Sequence, residues 1–197
     1  MNLPNKLTVF RIILVPVFMI FILLPENNVL SEMHIRILAA ALFFVAAFTD
    51  LLDGKLARKY QLITNFGKLM DPLADKFMVV GAMLAITASP YFEEIRFFAA
   101  WLTAIVFFRE LAVTSIRLVA NTSEGNVIAA NFLGKLKTAS QCTCILTILL
   151  EYDIITKNFN TMPYLFSYIT MVVMCVFTVY SGFVYVKSYW KYIDPAK

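Results

Sequence analysis

Residues 50–75 read DLLDGKLARKYQLITNFGKLMDPLAD, and this stretch places four aspartates where two long apolar runs approach each other. Ionised carboxylates at such depth in an apolar helix are costly and require a reason. In the first run Asp50, Asp53, Gly54 and Ala57 follow the spacing of a single helical stripe. In the second, Gly67, Asp71 and Asp75 recur every four residues and make another. The polar link between them, roughly residues 59–65, is short enough to predict antiparallel neighbours whose carboxylates face one another. Four carboxylates in a small, partly dehydrated space repel strongly, and hard divalent cations relieve this more simply than proton uptake. Mg²⁺ or Mn²⁺ prefers carboxylate oxygen and shares its shell with phosphates, so phosphate chemistry is the implied use. Gly54, Ala57 and Gly67 leave room for something flat or bulky beside the backbone, and Arg58 adds positive charge. Pairing of the aspartates with Lys55, Arg58, Lys59, Lys68 and Lys76 as solvated charge would leave this spacing unexplained.

Outward from this stretch the chain is a membrane sequence. Of its 197 residues 60% are hydrophobic and 15% charged, with a mean hydropathy of +0.76, far from the balance of a soluble domain. Apolar runs near 7–24, 33–58, 67–89, 95–119, 127–150 and 162–190 each approach the roughly 20 residues needed to cross hydrocarbon. They predict an all-α integral membrane protein of six transmembrane helices, a single domain over 1–197, with an uncleaved first helix. The opening NLPNKLT is predicted to be a short amphipathic segment lying along the membrane face before the first span, and Pro16 to kink that span. Cys142, Cys144 and Cys175 fall inside apolar runs as packing residues. With His34 the only histidine, a zinc site has almost no ligands to draw on.

Six crossings put both termini on one side, together with all of the 17 basic residues except Arg36, Arg96 and Lys157. By the positive-inside rule that side is cytoplasmic, so a multi-pass protein of the cell membrane is expected, with its termini and aspartates facing the cytoplasm. No nucleic-acid partner is expected. Arg109, Arg117, Lys135 and Lys137 form a second basic group near the cytoplasmic ends of spans four and five. They are either ordinary flanking charge or a pocket for an acceptor that itself carries phosphate, such as glycerol 3-phosphate.

The aspartate pattern, D-x2-D-G-x2-A-R-x8-G-x3-D-x3-D, is met without departure by Asp50, Asp53, Gly54, Ala57, Arg58, Gly67, Asp71 and Asp75. In this the chain resembles the CDP-alcohol phosphatidyltransferase family. The opening NLPNKLTVFR, Arg109 with Glu110, and GKLKT at 134–138 are similar to the bacterial branch whose acceptor is glycerol 3-phosphate. The resemblance implies an enzyme that moves the phosphatidyl group of CDP-diacylglycerol, a lipid entering sideways from the membrane, to the 1-hydroxyl of glycerol 3-phosphate. Phosphatidylglycerol phosphate and CMP would be the products. It implies two divalent ions on Asp50, Asp53, Asp71 and Asp75, with Asp75 also the general base. The donor nucleotide would lie over Gly54 and Ala57, approached by Asn5, Thr8 and Arg11, with Arg58 on its phosphates and Gly67 also in the donor site, in a homodimer. Two alternatives stand beside this reading: another acceptor alcohol (inositol phosphate, serine or phosphatidylglycerol), or a cation transporter, which would place its carboxylates near the bilayer midplane.

Overall fold

The computed structural model describes residues 2–24, 31–59, 64–122, 132–157 and 162–193, without the side chains of 53, 55–59, 68, 117–122 and 191–193. Among the described residues the apolar runs become six long helices: α1 (Leu3–Leu23), α2 (Glu32–Lys59), α3 (Asn65–Ala88), α4 (Arg96–Thr122), α5 (Phe132–Glu151) and α6 (Leu165–Ile193). A 3₁₀ turn, Pro90–Ile95, joins α3 to α4, and a π turn, Tyr152–Thr156, extends α5. Four segments among the described residues are long and apolar enough to cross a membrane: Leu3–Leu23, Glu32–Leu52, Pro90–Ile116 and Leu165–Trp190. The protein is therefore a multi-pass helical membrane protein. α3 and α5 fall short of that measure because they carry Asp71, Asp75 and Lys76, and Lys135, Lys137 and Gln141.

Two expectations change. The opening segment does not lie apart on the membrane surface. It forms the first turns of α1, with Pro4 where its missing N–H costs nothing. Its polar residues Asn5, Thr8 and Arg11 continue the buried stripe of Leu14, Phe18 and Ile22, because each finds a polar partner inside the protein. Pro16 sits on the exposed side of a helix that continues past it.

The second change concerns α2 and α3, predicted to pack directly on one another. They touch only lightly, because α1 packs extensively against both. Gly81 permits this: a Cβ there would lie 2.9 Å from Val15 Cγ1, so α1 and α3 approach closely only without one. The core runs through the middle of the bundle, from Phe18 and Phe43 (ring centroids 6.1 Å apart) across Met83 and Ile86 to Leu102, Ile148 and Met174.

The end of the bundle formed by the start of α2 and the starts of α4 and α6 is closed by a polar and aromatic plug. The Arg36 guanidinium, buried, pairs with Glu32, donates to the Tyr91 carbonyl at 2.8 Å, and lies 4.6 Å from the Tyr152 ring centroid and 5.0 Å from that of Phe92. Tyr164, at φ 56°, is held in the left-handed region by burial between these rings. Burial pushes its hydroxyl up to about 12, so it stays protonated and donates to the same Tyr91 carbonyl. The Glu151 carboxylate accepts from Phe166 N, Ser167 N and Ser167 Oγ, capping the orphan amides of α6. The other end is open, and there the aspartates lie.

Candidate active site

Thr64 fixes the entry of α3. Its hydroxyl accepts from Gly67 N at 3.0 Å, an N-cap, and donates to Asn5 Oδ1 at 3.0 Å, tying α3 to α1. Gly67 is buried beneath this contact: a Cβ would stand 3.2 Å from Asn5 Oδ1 and 3.6 Å from Asp71 Oδ2. The space predicted for a ligand beside Gly67 is thus occupied by the protein's own Asn5 and Thr64. One turn on, Thr8 Oγ1 donates to Asp71 Oδ1 at 2.8 Å.

Arg11 makes the decisive contact. Fully buried, it places Nη1 2.6 Å from Asp50 Oδ1 on α2 and 2.6 Å from Asp75 Oδ1 on α3. The carboxylates therefore meet across a guanidinium that α1 supplies. A single cationic nitrogen bridging carboxylates of two helices shows that the cradle is built for positive charge. Its donors are hard oxygens, with neither thiolate nor imidazole bound to it, which fits a hard divalent cation. Among the described residues no three metal-ligating side chains converge closely enough to make a complete metal site. The Asp53 side chain lies outside the described residues, as do those of Ala57, Arg58 and Arg117.

Asp50 and Asp75 open onto a cavity of about 1170 Å³. The same cavity is lined by Arg109 of α4 and by Lys135 and Lys137 of α5, so the structure brings acidic and basic groups to one cavity. Its flank toward the lipid is apolar, with Phe44, Phe48, Leu51, Leu69 and Leu73 all exposed. Asn5, Thr8 and Arg11 do not line it; they stand behind the carboxylates.

The basic side chains are not loose. Lys137 Nζ and Arg109 Nη1 both engage Oε1 of Glu110, the latter at 3.1 Å, and Arg109 Nη2 donates to Ser181 Oγ at 3.1 Å. Arg109 lies against Gly182, where a Cβ would be 3.1 Å from its Cγ. Lys76, beside Asp75, donates to Thr114 Oγ1, which in turn donates to the Glu110 carbonyl at 2.7 Å. The sequence signals for Glu110, Ser181 and Gly182 were polar interruptions of otherwise apolar runs. Gln141, one turn after Lys137 on the same face of α5, also lines the cavity; it is buried and its amide nitrogen has no hydrogen-bond partner among the described residues. Nothing in the sequence separated Lys76, Thr114 or Gln141 from ordinary helix surface.

The family model described as CDP-alcohol phosphatidyltransferase matches residues 1–180. A protein of Bacillus subtilis (strain 168) named CDP-diacylglycerol–glycerol-3-phosphate 3-phosphatidyltransferase is 38% identical over 196 residues, 96% of each chain. Proteins of the same name from Haemophilus influenzae and Yersinia enterocolitica are 35% identical over 77% of each chain, and 31% identical over 97% of this chain and 96% of theirs. The family match spans the carboxylate cradle and the basic residues that line the same cavity, and the chain belongs to the CDP-alcohol phosphatidyltransferase family.

Proposed function

We propose that this chain transfers the phosphatidyl group of CDP-diacylglycerol to the 1-hydroxyl of glycerol 3-phosphate, the activity for which its relatives are named. The observation that carries the reading is that Asp50 and Asp75 line the same cavity as Arg109, Lys135 and Lys137. A carboxylate able to take a proton and cations able to hold a phosphate are what this acceptor needs.

Asp50, Asp53, Asp71 and Asp75 would hold the divalent cation, Mg²⁺ or Mn²⁺, in two positions. Bound there, it supplies charge neutralisation of the donor's pyrophosphate. The donor's nucleotide lies along Gly54 and Ala57 with Arg58 on its phosphates, and its acyl chains leave through the apolar flank. Arg11, Thr8, Asn5 and Gly67 shape this side from behind, holding the carboxylates in place. Lys135, Lys137, Arg109 and Arg117 receive the acceptor phosphate. Asp75 takes the proton of the 1-hydroxyl, whose oxygen bonds to the phosphorus of the phosphatidyl group as the bond to CMP breaks. The products are phosphatidylglycerol phosphate and CMP.

The same reading takes the six long helices as six crossings of the cell membrane and residues 1–197 as one domain. The termini and the open end face the cytoplasm, and the protein works as a homodimer. The distribution of basic residues supports this orientation. The carboxylates cluster toward one end of the bundle, Asp50 in the second half of α2 and Asp71 and Asp75 in the first half of α3, which favours a transferase over a cation transporter. The test is an acceptor screen: purified protein with CDP-diacylglycerol and Mg²⁺, with CMP release followed for glycerol 3-phosphate, inositol phosphate, serine and phosphatidylglycerol. Release that depends on one of the last three and not on glycerol 3-phosphate would refute the acceptor assignment.

A further inference from the structure

We propose that Glu110 is a positioning residue for the acceptor: it holds Lys137 toward the basic wall of the cavity and away from Asp75. The proposal rests on the acceptor assignment above and adds to it a residue with no role there.

Lys137 has two carboxylates within reach of its charge. It is hydrogen-bonded to Glu110, and it is near enough to Asp75 for the two charges to couple. A lysine carries its charge on a flexible four-carbon stem. Released from one carboxylate in a mostly buried site, it moves to the other. Bonded to Asp75, Lys137 would be lost to the acceptor phosphate and would sit where the attacking hydroxyl must approach. Glu110 prevents this while leaving Lys137 two further N–H donors.

The geometry around Glu110 is that of an anchor. Its side chain is 13% exposed and Lys137's 11%, so neither swings freely in solvent. Arg109 shares the same carboxylate oxygen and is itself fixed by Ser181 and Gly182, which sets the position of the carboxylate. One turn further along α4, Thr114 does for Lys76 what Glu110 does for Lys137, accepting a hydrogen bond from its ammonium. Lys76 directly follows Asp75 in the chain. Positions 110 and 114 lie on one face of α4, and that face therefore holds two lysines off the aspartates.

Glu110→Gln keeps the size and a hydrogen-bond acceptor but removes the charge. The expected result is a KM for glycerol 3-phosphate raised about tenfold or more, with the KM for CDP-diacylglycerol within about twofold of wild type. Inorganic phosphate, used as a competitive inhibitor against glycerol 3-phosphate, should weaken by a similar factor. A purely structural role for Glu110 would not divide the two substrates in this way. Glu110→Asp, which keeps the charge on a stem one carbon shorter, should raise the acceptor KM by a smaller factor, about threefold, and serves as the second test if Glu110→Gln does not purify folded. Unchanged acceptor KM in both variants would overturn the proposal. So would tighter phosphate binding in Glu110→Gln, which would make Glu110 a competitor for the phosphate rather than an anchor of Lys137. Wild-type protein that neither uses glycerol 3-phosphate nor is inhibited competitively by phosphate would instead overturn the acceptor assignment beneath it.

Discussion

Asp50 and Asp75 share one guanidinium but not one environment: the Asp75 side chain is 53% exposed and that of Asp50 26%. Both line the cavity, and in the proposed reaction the more open one, Asp75, is the proton acceptor. Asp75→Asn keeps the size and one ligating oxygen and loses the base, so kcat should fall by about 10² to 10⁴ while affinity for CDP-diacylglycerol persists. Asp50→Asn, measured beside it at saturating cation, should lose donor binding as well. Near-normal kcat in Asp75→Asn would remove it as the base; equal loss of donor binding in both would make it foremost a ligand. Among the basic residues of the cavity, Lys137→Gln should raise the acceptor KM by about ten- to a hundredfold and leave the donor KM nearly still, since one charge-assisted hydrogen bond is lost. A shift of the donor KM instead would return Lys137 to the status of flanking charge.

At the scale of the helices, the contact of α1 with α3 depends on the absence of a side chain. Gly81→Ala puts a methyl 2.9 Å from a buried valine, and should cost roughly 1 to 3 kcal/mol in unfolding free energy. Thermal unfolding in detergent checks this, with Gly134→Ala as the comparison, because a Cβ there meets nothing within 4 Å and gains helix propensity. An equal midpoint for both variants would show that α1 yields without cost. The place of α1 was the part of the fold least legible in the sequence. Stripes such as Asp71 and Asp75, or Lys137 and Gln141, follow from periodicity along one helix. The insertion of α1 between α2 and α3 follows from Arg11 meeting residues 39 and 64 positions later, and no local pattern carries such a pairing. The polar residues of NLPNKLT turn inward because their partners are Thr64 and Asp71 rather than lipid headgroups. The aspartate cluster was legible because charges in apolar runs are rare; Thr114 was not, since a threonine on a helix is ordinary until Lys76 is placed on it.

Over the molecule as a whole, two polar assemblies cap a continuous apolar core, one closed around Arg36 and one open around the aspartates. Arg36 and Asp50 lie 14 residues apart on α2, about 21 Å along the helix. Arg36→Met, which removes the ring contacts and the bond to the Tyr91 carbonyl, should therefore lower stability by roughly 2 to 4 kcal/mol without moving either KM; a change in a KM would show that the ends communicate. At the open end, excess chelator should abolish activity and added Mg²⁺ restore it, and full turnover in chelator would refute the cation requirement. Arg11 also sets an order of events in time. Asp75 is made 64 residues after it, an interval of roughly 3 to 13 s at ordinary rates of synthesis. Throughout that interval the guanidinium has neither Asp50 nor Asp75, or has only the first, and a lone cation stays with the headgroups by stretching its stem toward them. α1 thus reaches its final depth only when α3 arrives.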